Sequence, residues 1–170
     1  MKIWRAIQSS VRWILGHFIA LSLVFAAVMT IVPIPTWLEL WRPDWVALVL
    51  VYWVIALPHR VGMVWAWTVG FLLDVLEGTL LGLNAIVLTM MAYIALTLYQ
   101  RLRMFTPLQQ SMTILMLVGT GQILVFWVQT ATGRNTADNL VFVLSAVTSA
   151  LLWPLIFVSL RFWRRSFRVN

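Results

Sequence analysis

Apolar residues in this chain fall into six runs, each bounded by proline or by charge. The first, Ile14–Val32, follows Arg12 and stops at Pro33 and Pro35. The second, Trp45–Leu57, is closed by Pro58, His59 and Arg60. The third covers 61–76: Val61–Leu73 is apolar, and the helix is read on through Asp74 to Leu76. Leu83–Tyr99 ends at Arg101 and Arg103, and Met112–Val128 follows Pro107. The sixth, Leu140–Leu160, is interrupted by Pro154 and stopped by Arg161. A membrane-crossing helix needs about 20 apolar residues. The pattern therefore predicts an all-α polytopic integral membrane protein, a single domain over residues 1–170 with six transmembrane helices.

Spans two and three are short. Thirteen core residues rise about 20 Å, against a hydrocarbon thickness of about 30 Å. Pro43 at the first position of helix two extends it slightly. A re-entrant hairpin is the alternative for this pair, and its turn would need protein cover. The first run, with Lys2, Arg5 and Arg12 before it and Val24-Phe25-Ala26 within it, resembles a signal peptide. Its length, and the odd number of spans left by its removal, favour a retained anchor.

Composition strengthens this picture and removes several classes. The 170 residues are 62% hydrophobic and 10% charged, where soluble domains are roughly 45–50% apolar and about 25% charged. No cysteine is present, which excludes disulfides, thiolate metal sites and a cysteine nucleophile. The two histidines, His17 and His59, are far apart, so no metal site is expected. No cofactor is expected either.

The net charge of +7 fits a cationic cytoplasmic face meeting anionic lipid, so no nucleic-acid partner is expected. With the N-terminus inside, ten of the twelve basic residues fall on inside segments and only Arg42 and Arg134 outside. All five acids fall outside. Lys/Arg bias in short loops sets orientation, so both termini are expected in the cytoplasm. Trp37, Trp41 and Trp45 mark the outer interface, and Trp4, Trp13 and Trp163 the inner one. Thr36–Trp41 reads as a stretch lying along the outer surface.

Helix three carries the clearest pattern. Gly62, Ala66, Gly70 and Asp74 recur every four residues and share a face. Gly78 and Gly82 continue the spacing. Small residues so placed let another backbone approach closely: tight internal packing is one reading, a groove for a partner helix or lipid the other. Asp74 and Glu77 are the acids nearest the hydrocarbon boundary, and an intramembrane carboxylate is a functional candidate by default. No histidine, third acid or hydroxyl–base motif stands beside them, and no P-loop, zinc motif or nucleophile elbow is present. Asp74 is expected to be held by Asn84 or by Arg42. His59 and Arg60 form an inner corner open to docking. Asp44 sits favourably at a helix N-terminus, and Gln122 and Gln129 are placed to hydrogen-bond across helices.

The stretch Trp41-Arg42-Pro43-Asp44-Trp45, followed by Tyr52-Trp53 and Ala56-Leu57-Pro58-His59-Arg60-Val61-Gly62, resembles the rod shape-determining MreD family of Gram-negative bacteria. The likeness continues through Gly70-Phe71-Leu72-Leu73-Asp74-Val75-Leu76-Glu77-Gly78, Leu81-Gly82, Gln100-Arg101-Leu102-Arg103 and Leu151-Leu152-Trp153-Pro154-Leu155. It covers about 41–168, while the first 40 residues match only in character. The resemblance implies a non-enzymatic inner-membrane scaffold of lateral peptidoglycan synthesis that pairs with MreC. Through MreC it implies links to MreB, RodZ, RodA and the transpeptidase of RodA. It also implies six helices like those of transporter substrate-binding subunits. A small-molecule or lipid-binding transporter subunit is the alternative function. Partner- or lipid-binding candidates are Arg42, Asp44, His59, Arg60, Gly62, Ala66, Gly70, Asp74, Gly78, Gly82 and Asn84; no catalytic residue is expected.

Overall fold

In the computed structural model the described residues form six helices in succession: α1 (Lys2–Ile31), α2 (Trp45–Ala56), α3 (Met63–Glu77), α4 (Leu83–Met104), α5 (Pro107–Ala131) and α6 (Leu140–Ser166). The structure describes residues 2–33, 35, 41–133 and 140–166, with side chains placed for 16–33, 35, 41–133 and 143–163. The expected surface stretch Thr36–Trp41 lies outside the described residues except for Trp41, which is exposed.

The shortest helix is the innermost. α2 has 12 residues, of which the ten at positions 46–55 are all buried. It has no polar face to turn outward, and a helix apolar all round is stable only when enclosed. α1, α4 and α6 pack around it. The other helices bury one stripe each. On α1 the stripe is Ile19, Leu23 and Ala26, spaced at helical repeat. α3 packs chiefly on α4, and α5 chiefly on α6, with α4 also touching α5.

The outside of the bundle is apolar. Val64, Ile86, Met116, Trp127, Leu151 and Leu155 are each more than 60% exposed. Water-soluble monomers seldom expose continuous apolar surface beyond a few hundred Å², so this perimeter calls for lipid. Leu83–Met104, Pro107–Ala131 and Val143–Trp163 are long and apolar enough to cross a membrane, while Gly16–Ile31 and Trp45–Ala56 are shorter apolar helices.

Several boundaries differ from the sequence reading: α4 runs on through Arg101 and Arg103 to Met104, and α6 past Arg161 to Ser166. α1 begins at Lys2, well before Ile14, its basic N-terminal turns being part of the same helix. α5 begins at Pro107 rather than at Met112. Thr106 caps it, with its side chain on the Gln109 N–H and the Gln109 side chain on the Thr106 N–H, a reciprocal arrangement that fixes a helix start. Pro154 does not interrupt α6, which runs through it. Packing of the neighbouring Trp153, fully buried, holds the helix across a residue that has no N–H to give.

Candidate functional site

Helix ends decide where the charged side chains go. Each helix leaves N–H groups at its start and C=O groups at its end without helical partners. In lipid no water can satisfy them, so the protein must. α2 is about 18 Å long, shorter than a bilayer's hydrocarbon core, and both its ends are closed by partners within the protein.

The Arg42–Trp45 motif supplies two caps from neighbouring residues. Arg42 donates through Nη2 to the Met29 carbonyl at 2.8 Å and the Val32 carbonyl at 3.2 Å, closing the end of α1. Asp44 opens α2, its Oδ1 accepting from the Ala47 N–H at 3.0 Å. A cation at a C-terminus and an anion at an N-terminus both suit the helix dipoles. The Asp44 N–H donates to Ser149 Oγ on α6 at 2.9 Å, and Gln122 on α5 reaches Asp44 Oδ2 at 3.4 Å. The far end of α2 is closed by Arg103 of α4, which donates to the carbonyls of Ile55 at 3.0 Å and Ala56 at 2.8 Å.

The α3–α4 junction uses the same device. Asp74 is 1% exposed. Its Oδ1 accepts from Thr79 Oγ1 and the Asn84 N–H, each at 2.9 Å. Its Oδ2 accepts from the N–H groups of Gly82 at 2.9 Å and Ala85 at 3.4 Å. One carboxylate on α3 thus caps the first turn of α4. The turn between them has left-handed backbone at Gly78 (φ 63°) and Gly82 (φ 96°), a conformation glycine adopts without strain. Asn84 meets Asp74 through its backbone only; its side chain donates to Glu77 Oε2 at 3.0 Å. Arg42, the other expected partner of Asp74, serves α1 instead.

Burial raises the carboxyl of Asp44 above the usual range, opposed by hydrogen bonds from Ala47 and Gln122. Glu77 lies within electrostatic reach of Asp44, Asp74 and Arg42. These four charged groups are therefore gathered at one end of the bundle. His59 and Arg60 lie exposed in the turn at the other end of α2. Gly62 begins α3 with extended backbone and open space where a Cβ would stand.

Around Ala66 and Gly70 the small-residue face of α3 is filled from within the chain. Ala66 is 0% exposed. A Cβ on Gly70 would stand 2.6 Å from both the Ala85 nitrogen and the Asn84 carbonyl oxygen. α3 and α4 thus touch backbone to backbone where Gly70 lies, so α4 occupies that part of the face.

Several polar contacts have no counterpart in the sequence reading, among them those of Gln110, Trp53 and Arg103. Gln110, 2% exposed, donates to the Leu102 carbonyl at 2.7 Å and accepts from Trp153 Nε1 at 3.0 Å, tying α4, α5 and α6 together. Trp53 Nε1 donates to Ser22 Oγ at 2.7 Å, joining α2 to α1. Arg103 is the third; its place in the last turn of an apolar run was the available signal. A groove of about 870 Å³ lies between α1 and α6. Phe25, Leu155 and Leu160 wall it, and Trp45, Val49 and Trp53 of α2 form its floor.

Among the described residues, a helical bundle with an apolar perimeter and charges largely at helix ends defines a helical membrane protein. The family described as rod shape-determining protein MreD matches residues 11–163. The rod shape-determining protein MreD of Haemophilus influenzae is 33% identical over 160 residues, 94% of this chain and 98% of that one. The chain belongs to the MreD family of rod shape-determining proteins. No solved structure matches it.

Proposed function

We propose that this protein is a non-catalytic scaffold of the inner membrane that supports rod shape by holding MreC. Through MreC it is linked to MreB, RodZ, RodA and the transpeptidase of RodA. The observation that carries this reading is the match to the rod shape-determining family over residues 11–163. The use of the buried carboxylates supports it. Asp44 and Asp74 are both engaged as caps, which suits a rigid frame better than acid–base work.

In this reading all six helices cross the bilayer and both termini are cytoplasmic. Two features favour that arrangement. Inside loops carry the basic residues. α2 starts beside Ser149 and Gln122 and ends beside Arg103 in the last turn of α4, so it runs along its neighbours rather than doubling back.

A second reading, a lipid- or small-molecule-binding transporter subunit, is favoured by the α1–α6 groove. Its apolar walls suit an acyl chain better than a polar solute.

Affinity purification from mild-detergent membranes, with mass spectrometry of the co-purifying proteins, tests the choice. Recovery of MreC and wall-synthesis proteins is the expected result. Recovery of a transporter ATPase without MreC would replace the scaffold by the second reading.

A further inference from the structure

The end of the bundle opposite the carboxylates holds a smaller cavity, of about 410 Å³. Arg103, Arg161, Gln110, Tyr52, Phe157 and Pro107 line it. Two guanidinium groups therefore face one space. Arg103 is fixed by the α2 carbonyls and lies 5.9 Å from the centre of the Tyr99 ring. Arg161 lies 5.8 Å from the centre of the Phe157 ring. It has no hydrogen bond or ion pair among the described residues. The start of α5, at Pro107, opens on the same space and brings the positive end of a 25-residue helix.

No carboxylate lines this cavity. The described acids stand at the other end, where Glu77 feels both Asp44 and Asp74. The cavity is thus doubly cationic with no counter-charge supplied by the described chain. Tyr52, Phe105, Pro107 and Phe157 give it apolar and aromatic walls beside the two arginines, and it lies near the C-terminal ends of α4 and α6. An anion with several acceptor oxygens fits: the planar fork of Arg161 matches a phosphate, and basic pockets between helices on the cytoplasmic side suit anionic headgroups.

We propose that the Arg103–Arg161 cavity binds a phosphate group, that of an anionic phospholipid headgroup or of free phosphate. The lipid source rests on the proposed orientation, which places this end at the cytoplasmic leaflet.

The test uses the full-length protein without partners, so it stands whether or not MreC is held. In one arm, native mass spectrometry counts phosphatidylglycerol kept by protein taken from mixed phosphatidylglycerol and phosphatidylcholine bilayers. In the other, inorganic phosphate is added to protein in phosphatidylcholine alone and thermal unfolding is followed. R161Q, whose side chain makes no cap, is expected to weaken retention about tenfold, the loss of one charge-assisted pair. Its unfolding temperature without ligand should match wild type. R60Q, which removes an exposed cation from the α2–α3 turn, should retain lipid normally. An Arg161-dependent effect in the first arm assigns a headgroup; one confined to the second assigns free phosphate. Equal losses in R161Q and R60Q, or none in either arm, would overturn the proposal, and an acidic protein segment would then be the better fit. Labelling of a lone cysteine at position 166 by an impermeant reagent reports the orientation separately.

Discussion

Gly70 on α3 and Ala85 on α4 meet backbone to backbone, with no room for a methyl group between them. A Cβ there would press on main-chain atoms, which cannot step aside as a side chain can. Gly70→Ala is therefore expected to cost about 1–3 kcal/mol and to lower the unfolding temperature of the purified protein. Gly121→Ala is the contrast. A Cβ at Gly121 would meet the Met91 side-chain tip and Val87 Cγ1, and a methionine end yields. Equal losses at the two glycines would mean that the α3–α4 contact is looser than the geometry requires.

Asp74 distinguishes a capping role from a chemical one. Asp74→Ala strands three backbone N–H groups and the Thr79 hydroxyl, and should cost about 3 kcal/mol or more, since each buried unsatisfied group costs about 1–3. Asp74→Asn keeps one acceptor oxygen and should fall between. Rod-shape complementation by the asparagine variant is expected to survive in proportion to its folded amount. Loss of shape support at normal folded levels would assign the charge itself a function.

Trp153 and Gln110 form a pair whose coupling is measurable. Trp153→Phe removes the donor to Gln110 Oε1 while keeping most of the ring, and should cost about 1–2 kcal/mol. Gln110→Leu alone leaves the indole N–H and the Leu102 carbonyl without their partner. A double-mutant cycle should return an interaction of about 1 kcal/mol; strict additivity would show that the bond contributes nothing.

Orientation is open to direct labelling, because the chain has no cysteine of its own. His59→Cys, in the exposed α2–α3 turn, should react with an impermeant thiol reagent only in opened cells. Leu81→Cys, 67% exposed between α3 and α4, should react in spheroplasts that are intact. The reverse pattern would invert the proposed topology.

The positions of the helices were legible because proline and charge punctuate the apolar runs, as Pro58 and Arg60 do between α2 and α3. The early start of α5 was also written in the sequence, in Thr106-Pro107 with Gln109 behind it, a capping signal set among polar residues. Partner choice was not legible. Helical spacing put Gly70 and Asp74 on one face, but only the position of α4 shows that the face is filled from within. Likewise Arg103 was readable as a cation ending a span, while its acceptors, Ile55 and Ala56, lie 48 and 47 residues earlier. Local pattern carries periodicity and punctuation; it carries no information on which distant backbone group will be left without water.

That separation has a consequence for synthesis. A chain emerges N-terminus first, yet the cap of α2 at Ile55 waits for Arg103, and the Asp44 N–H waits for Ser149, 105 residues later. Asp44 caps the start of α2 as soon as Ala47 is made, but the far end gains its donor only with α4, and the Asp44 N–H gains its acceptor only with α6. The C-terminal helix thus acts as the keystone, and truncation before Ser149 removes its hold on the start of α2.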